Sequence, residues 1–149
     1  MIAIVVTLVT ALAQAAPGER RLDVMILEAP AGRTIGKGDQ SNVDDAKQVL
    51  VRTEAEWTKL WQQHNPDGLR PAVNFSKEMV VGVFMGSRPN AGFSTAVTSA
   101  TAGNGALIVR YKETKPGPSS VSAQILTFPY HLVAIPKADV KDVKFEKAP

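Results

Sequence analysis

The chain has 149 residues, 44% of them hydrophobic, which is enough for one packed domain and too apolar for a disordered chain. Lysine and arginine number 17 against 14 acids, a net charge of +3, and only Arg20 and Arg21 are adjacent basic residues, so no stripe of cations marks a nucleic-acid surface. Cysteine is absent, which excludes disulfides, thiolate catalysis, cysteine-held metals and a cysteine-linked lipid anchor.

The first segment, MIAIVVTLVTALAQAAPGERR, is almost entirely apolar and is uncharged from Ile2 to Ala13. Ala13-Gln14-Ala15 then gives the small-x-small pattern of a cleavage site. The apolar run is shorter than the roughly 20 residues of a membrane span. Residues 1–16 are therefore expected to be a signal peptide cut after Ala15 or Ala16, leaving 17–149 as a single domain that is periplasmic or secreted and has no stable membrane span. One feature departs from the pattern: no lysine or arginine precedes the apolar core.

Val24 to Leu27 reads as a short strand. AGRTIGKGDQSNVDD, rich in glycine and polar groups, reads as a loop or edge excursion. Its glycines lack the spacing of a phosphate-binding P-loop, and its acids lack the spacing of a calcium loop. KQVLVRT, residues 47–53, is strand-like. TEAEWTKLWQQHNPDG is the clearest helix, with Thr53 as cap and Glu56 three residues on as in a capping box. Trp57, Leu60, Trp61 and His64 share one face, and two tryptophans at helical spacing predict packing across a sheet rather than an exposed stacking platform. His64 falls at the helix end, where its side chain is expected to meet the last carbonyls.

Met79 to Met85 is an apolar run broken only by Gly82 and predicts a central strand. SRPNAGFST, residues 87–95, reads as a turn, with Pro89 fixing φ and Asn90 and Gly92 tolerating turn geometry. The next segment predicts a hairpin, with Phe93, Thr95, Val97 and Ser99 on one face and Asn104-Gly105 at the turn. After KPGPSS, VSAQILTF predicts another strand, and PYHLVAIPK an extended segment whose Pro129 and Pro136 suit edges or strand ends. Val143 to Phe145 is a last short strand. The sum is an α+β domain: a mostly antiparallel or sandwich-like sheet packed on one tryptophan-bearing helix.

Chemistry is hard to place on this chain. Its two histidines, His64 and His131, lie far apart, and no GxSxG elbow occurs. Nothing resembles a metal-ligand ladder, so no cofactor or metal is expected. Glu113, at the end of LIVRYKE, is better read as capping the proline-rich turn than as a catalytic acid.

Several fragments, taken in order, do carry a pattern. WTKLWQQH, NFSKEMVVGVFMGSRPNAGFS, VRYKETKPGPSS and QILTFPYHLVAIPK together resemble the C-terminal domain of the PrcB family, the protease complex subunit PrcB-like proteins, over residues 50–146. Trp57 and Trp61 on the helix, Gly86, Gly92 and Phe93 at the turn, Glu113 and Pro116 after the hairpin, and Gln124, Pro129, Tyr130 and His131 further on are the matching positions. Relatives often carry Gly-Gly-Tyr where this chain has Ala91-Gly92-Phe93. The resemblance implies export and a role as accessory subunit of a surface protease complex, hence a non-catalytic domain that binds another exported protein and no nucleic acid. A patch at 88–93 or 128–135 would serve such binding. The alternative is a domain for a small ligand or envelope glycan, in which Arg88, Glu113, Gln124 and His131 converge on a pocket. A hydrolase is the least favoured reading. The candidate interaction residues are thus Arg88, Gly92, Phe93, Glu113, Gln124, Tyr130 and His131.

Overall fold

The computed structural model describes residues 25–27 and 32–149; the signal-peptide expectation for 1–16 lies outside them. In chain order the elements are β1 (Met25–Leu27), β2 (Arg33–Gly38), β3 (Lys47–Val51), α1 (Glu54–His64), β4 (Glu78–Phe84), β5 (Ser94–Gly103), β6 (Ala106–Thr114), β7 (Tyr130–Pro136) and β8 (Asp142–Lys147). They form two four-stranded sheets, ordered β1-β5-β6-β8 and β2-β7-β4-β3. Every pairing is antiparallel except β6 with β8. The α+β expectation, with mostly antiparallel strands and one helix, describes this architecture.

The second sheet lies in the middle of three layers. Met79, Val81 and Val83 of β4 and Val133 and Ile135 of β7 pack with Val97, Ala100, Leu107 and Val109 of the first sheet. Val80 and Phe84 of β4 and Leu132 of β7 point the other way, against Trp57, Leu60 and Trp61 of α1. Side chains alternate across a strand, so β4 is apolar from Met79 to Phe84 because both of its faces are covered. Gly82 serves the same crowding: a Cβ there would stand 2.9 Å from Leu132 Cδ2 and 3.1 Å from Val49 Cγ2.

α1 begins as expected. Thr53 Oγ1 accepts from Glu56 N–H at 3.2 Å, while the Glu56 carboxylate reaches back one residue further, to Arg52 N–H at 2.8 Å. The indole N–H groups of Trp57 and Trp61 donate to the Pro71 and Gly68 carbonyls, each at 3.0 Å, so both rings are buried without orphaned donors.

Three expectations are corrected. GRTIGKG is a strand, not a loop, although at a sheet edge: its glycines leave room for β7, since a Cβ on Gly36 would meet the Tyr130 ring at 3.3 Å. Ser99 leaves the inward face because a bulge between Val97 and Ser99 resets the alternation, putting Ala100 in the core. VSAQILTF is not a strand; only Thr127 and Phe128 make isolated bridges, to Arg88 and Gln40. PYHLVAIP supplies an inner strand of its sheet, and its prolines fall at the strand's limits, the second of the two placements expected for them. The hairpin turn matches, with Asn104 and Gly105 both at positive φ (53° and 75°).

Candidate functional site

The loop 86–93 does not stand alone. Arg88 N–H donates to the Thr127 carbonyl (2.7 Å), Thr127 N–H to the Arg88 carbonyl (2.9 Å), and Ala91 N–H to the Ala123 carbonyl (2.9 Å). Thr127 Oγ1 adds a bond to the Asn90 carbonyl at 3.0 Å. Gly92, at φ +111°, lets the chain pass close to Pro116 and Ser122; a Cβ would meet Ser122 Oγ at 2.8 Å. Residues 88–92 and 122–127 are therefore one surface made of two backbones. Arg88 Cζ lies 5.7 Å from the Phe93 ring centroid, a cation–π contact. Arg88 Nε and Asn90 Oδ1 are buried there without a protein partner.

The sequence reading missed what this surface presents. Val121, Ile125 and Leu126, taken as strand residues, are exposed, the last two at 53% and 61%. Among the described residues no second layer covers 121–126, because the segment joins neither sheet. The clue lay in the punctuation: Pro116, Pro118 and Pro129 bracket the segment and deny it regular pairing.

Of the other candidates only Gln124 joins this surface. Gln124 is exposed on the same loop. Glu113 faces Thr95 across the hairpin and lies 3.5 Å from Lys147 Nζ. Tyr130 and His131 are neighbours in sequence and point to opposite faces of the middle sheet. Tyr130 packs towards α1, its ring 4.2 Å from that of His64, and burial together with the Asp39 charge raises its pKa. The 128–135 segment is mostly buried and offers no open patch.

His131 faces the first sheet and joins three strands. Its Nδ1 accepts from Val97 N–H at 2.8 Å, at the β5 bulge, and its Nε2 lies 2.9 Å from Thr34 Oγ1 on β2. A backbone N–H only donates, so Nδ1 is unprotonated and Nε2–H donates to Thr34. Protonating Nδ1 would set two donors against each other. Burial, assisted by the Lys37 charge, lowers the His131 pKa to about 4. The residue satisfies the donor that the bulge releases, and both nitrogens are spent on the fold.

His64 does not meet the helix carbonyls. It turns inward among Trp61, Phe84 and Tyr130, with Nδ1 2.8 Å from Ser41 Oγ, and burial lowers its pKa to about 4. Ser41 Oγ also accepts from Val43 N–H at 3.1 Å. A serine against a histidine has the spacing of a nucleophile and its base. Here both are sealed, at 2% and 1% exposure, so neither meets a substrate. The pair pins the 39–43 loop to the end of α1, as does Asn42 N–H on the His64 carbonyl at 2.9 Å. Among the described residues, no cluster of three or more histidines and acids is placed to hold a metal, and no helix is long and apolar enough to cross a membrane.

Among the described residues the architecture is thus that of a two-sheet, one-helix α+β domain with no recognised catalytic motif. Residues 79–136 match the family model described as PrcB C-terminal, a segment running from β4 through β7 and including the 86–93 and 115–129 connections. Over that span the chain is similar to the C-terminal domain of the PrcB family. The helix, with Trp57 and Trp61, lies outside the matched residues. No curated protein and no solved structure matches the chain.

Proposed function

We propose that the protein is an exported, non-catalytic accessory domain that binds another envelope or secreted protein through the surface formed by residues 88–93 and 121–127. The observation that carries this is the exposure of Ile125 and Leu126 on a segment fixed by backbone bonds to the Arg88–Ala91 turn. Each such side chain gains roughly 1.5–3 kcal/mol when a partner removes it from water. The segment is held in place beforehand, so less ordering cost opposes binding. Arg88 and Phe93 supply the mixture of cation and aromatic ring common at interface centres. The family's link to a protease complex gives the partner class by analogy.

The test is crosslinking in intact bacteria expressing the full chain, with recovered species identified by mass spectrometry. The expected result is one reproducible partner at near-stoichiometric recovery, lost in Leu126→Asp at unchanged melting temperature, and a mature N-terminus after Ala15 or Ala16. A processed protein recovered alone, or a partner retained by Leu126→Asp, overturns the reading.

A further inference from the structure

The two sheets end in four edges, and three of them are defended against pairing. β1 has three residues, β2 carries a bulge between Thr34 and Gly36, and β8 is lined with Asp142, Lys144, Glu146 and Lys147. β3 is different. It is regular over five residues, KQVLV, with no bulge and no proline, and its only strand partner among the described residues is β4. An edge with neither bulge nor proline is the kind that proteins ordinarily avoid unless something covers it.

The ladder shows which groups are open. Met85 N–H donates to the Pro129 carbonyl, so odd-numbered residues of β4 face β7 with their hydrogen-bonding groups. Even-numbered ones, Val80, Gly82 and Phe84, then bond to Val51, Val49 and Lys47. The N–H and C=O of Gln48 and Leu50 are left pointing outwards, with no backbone partner among the described residues. The next outward donor, Arg52 N–H, is already taken by the Glu56 carboxylate. The open stretch is thus two residues long on this edge and ends at a built stop.

Beside it runs a groove of about 300 Å³ lined by Lys47, Val49, Leu50 and Val51 on the strand and Glu56, Lys59, Leu60 and Gln63 on α1. Its floor is apolar, and its rim carries Lys47, Lys59 and Glu56, whose carboxylate is already taken by Arg52 N–H. Among the described residues neither Lys47 nor Lys59 has a carboxylate partner, while Lys47 Nζ donates to Gln63 Oε1 at 2.9 Å.

We infer that β3 is a second docking site, which accepts an extended segment of a partner protein as a fifth strand of the middle sheet. The segment pairs with Gln48 and Leu50, places apolar side chains against Val49, Val51 and Leu60, and sets a carboxylate beside Lys59. Main-chain bonds supply attachment, and the groove and lysines supply selection. The site stands on β3 geometry and is separate from the 121–127 surface.

The probe is a synthetic heptapeptide of alternating valine and glutamate, blocked at both ends, with the valine–lysine peptide as its counterpart. Amide hydrogen exchange of the purified chain is followed by NMR at pH 7, with sedimentation in parallel. The glutamate peptide is expected to slow exchange at Gln48 and Leu50 at least tenfold, and the lysine peptide is expected to have less than a third of that effect. Lys59→Glu should reverse the order. Gln48→Pro removes an outward N–H without touching a β3–β4 bond, so it should keep the melting temperature within a few degrees and abolish the slowing. No slowing by either peptide at millimolar concentration, or equal slowing in Gln48→Pro, overturns the proposal. Protection of Gln48 and Leu50 that grows with protein concentration alone also overturns it, because the edge then belongs to a second copy. Both results leave the 121–127 reading untouched, since that reading is tested by Leu126→Asp.

Discussion

The two sheets have four strands each and solve different problems. The middle sheet is covered on both faces, and its central strands read EMVVGVF and YHLVAIP, buried at nearly every position. The outer sheet shows one face to water, and β6 reads ALIVRYKET, with Leu107, Val109 and Tyr111 inward and Arg110 and Lys112 outward. The outer face is decorated by ion pairs, Arg110–Glu146 at 3.1 Å and Lys144–Glu146 at 3.4 Å. The same backbone pattern therefore gives a continuous apolar run or a strict alternation, according to how many layers lie over it. Both histidines follow the same division: each is buried against the middle sheet and held neutral.

That contrast can be broken or sharpened by substitution. The largest effect is expected for Trp57→Ala, which empties the layer between α1 and the middle sheet; a loss of about 3–5 kcal/mol should appear in denaturant unfolding.

The histidines come next. Their folded pKa values, about 4, lie below the ordinary 6.5, so the unfolded chain binds more protons between those limits. Their contribution is fully present above pH 6.5 and is lost as pH falls towards 4, at up to about 1.4 kcal/mol per pH unit for each histidine. His131→Gln, measured by thermal unfolding across this window, should reduce the slope by about half; an unchanged slope would show that His131 is not held neutral.

Gly82→Ala should cost about 1–3 kcal/mol, because Leu132, Val49 and Phe84 must all yield to the added carbon. Arg110→Ala, on the solvated face, should cost under about 1 kcal/mol and less still at high salt. If the ranking of Gly82 and Arg110 were reversed in chemical denaturation, the distinction between a covered and a solvated sheet would fail.

Legibility in the sequence followed the layers. The Met79–Met85 run, the tryptophan face of α1 and the Asn104-Gly105 turn each depend on nearby residues, and each was readable. GRTIGKG was not, because glycine signals a turn locally while here it makes room for the Tyr130 ring from a distant strand. Val121, Ile125 and Leu126 gave a strand-like pattern, but a strand needs a neighbour, and the sequence does not say that none arrives. Of the site residues, Arg88, Gly92, Phe93 and Gln124 do share one surface. Tyr130 and His131 looked functional because they are polar and aromatic; their roles are to fill the helix interface and to satisfy a bulge. Ser41 gave no signal, since its partner His64 lies 23 residues away.

The central claim is that the 121–127 segment is a protein-binding surface, and a photo-crosslinking residue placed at Ile125 tests it most directly. Installed in the full chain in living bacteria, and compared with the same residue at Arg110 on the solvated sheet, it should give one discrete adduct at position 125 and none at 110. Absence of an adduct at 125, or the same adducts at both positions, would contradict the account.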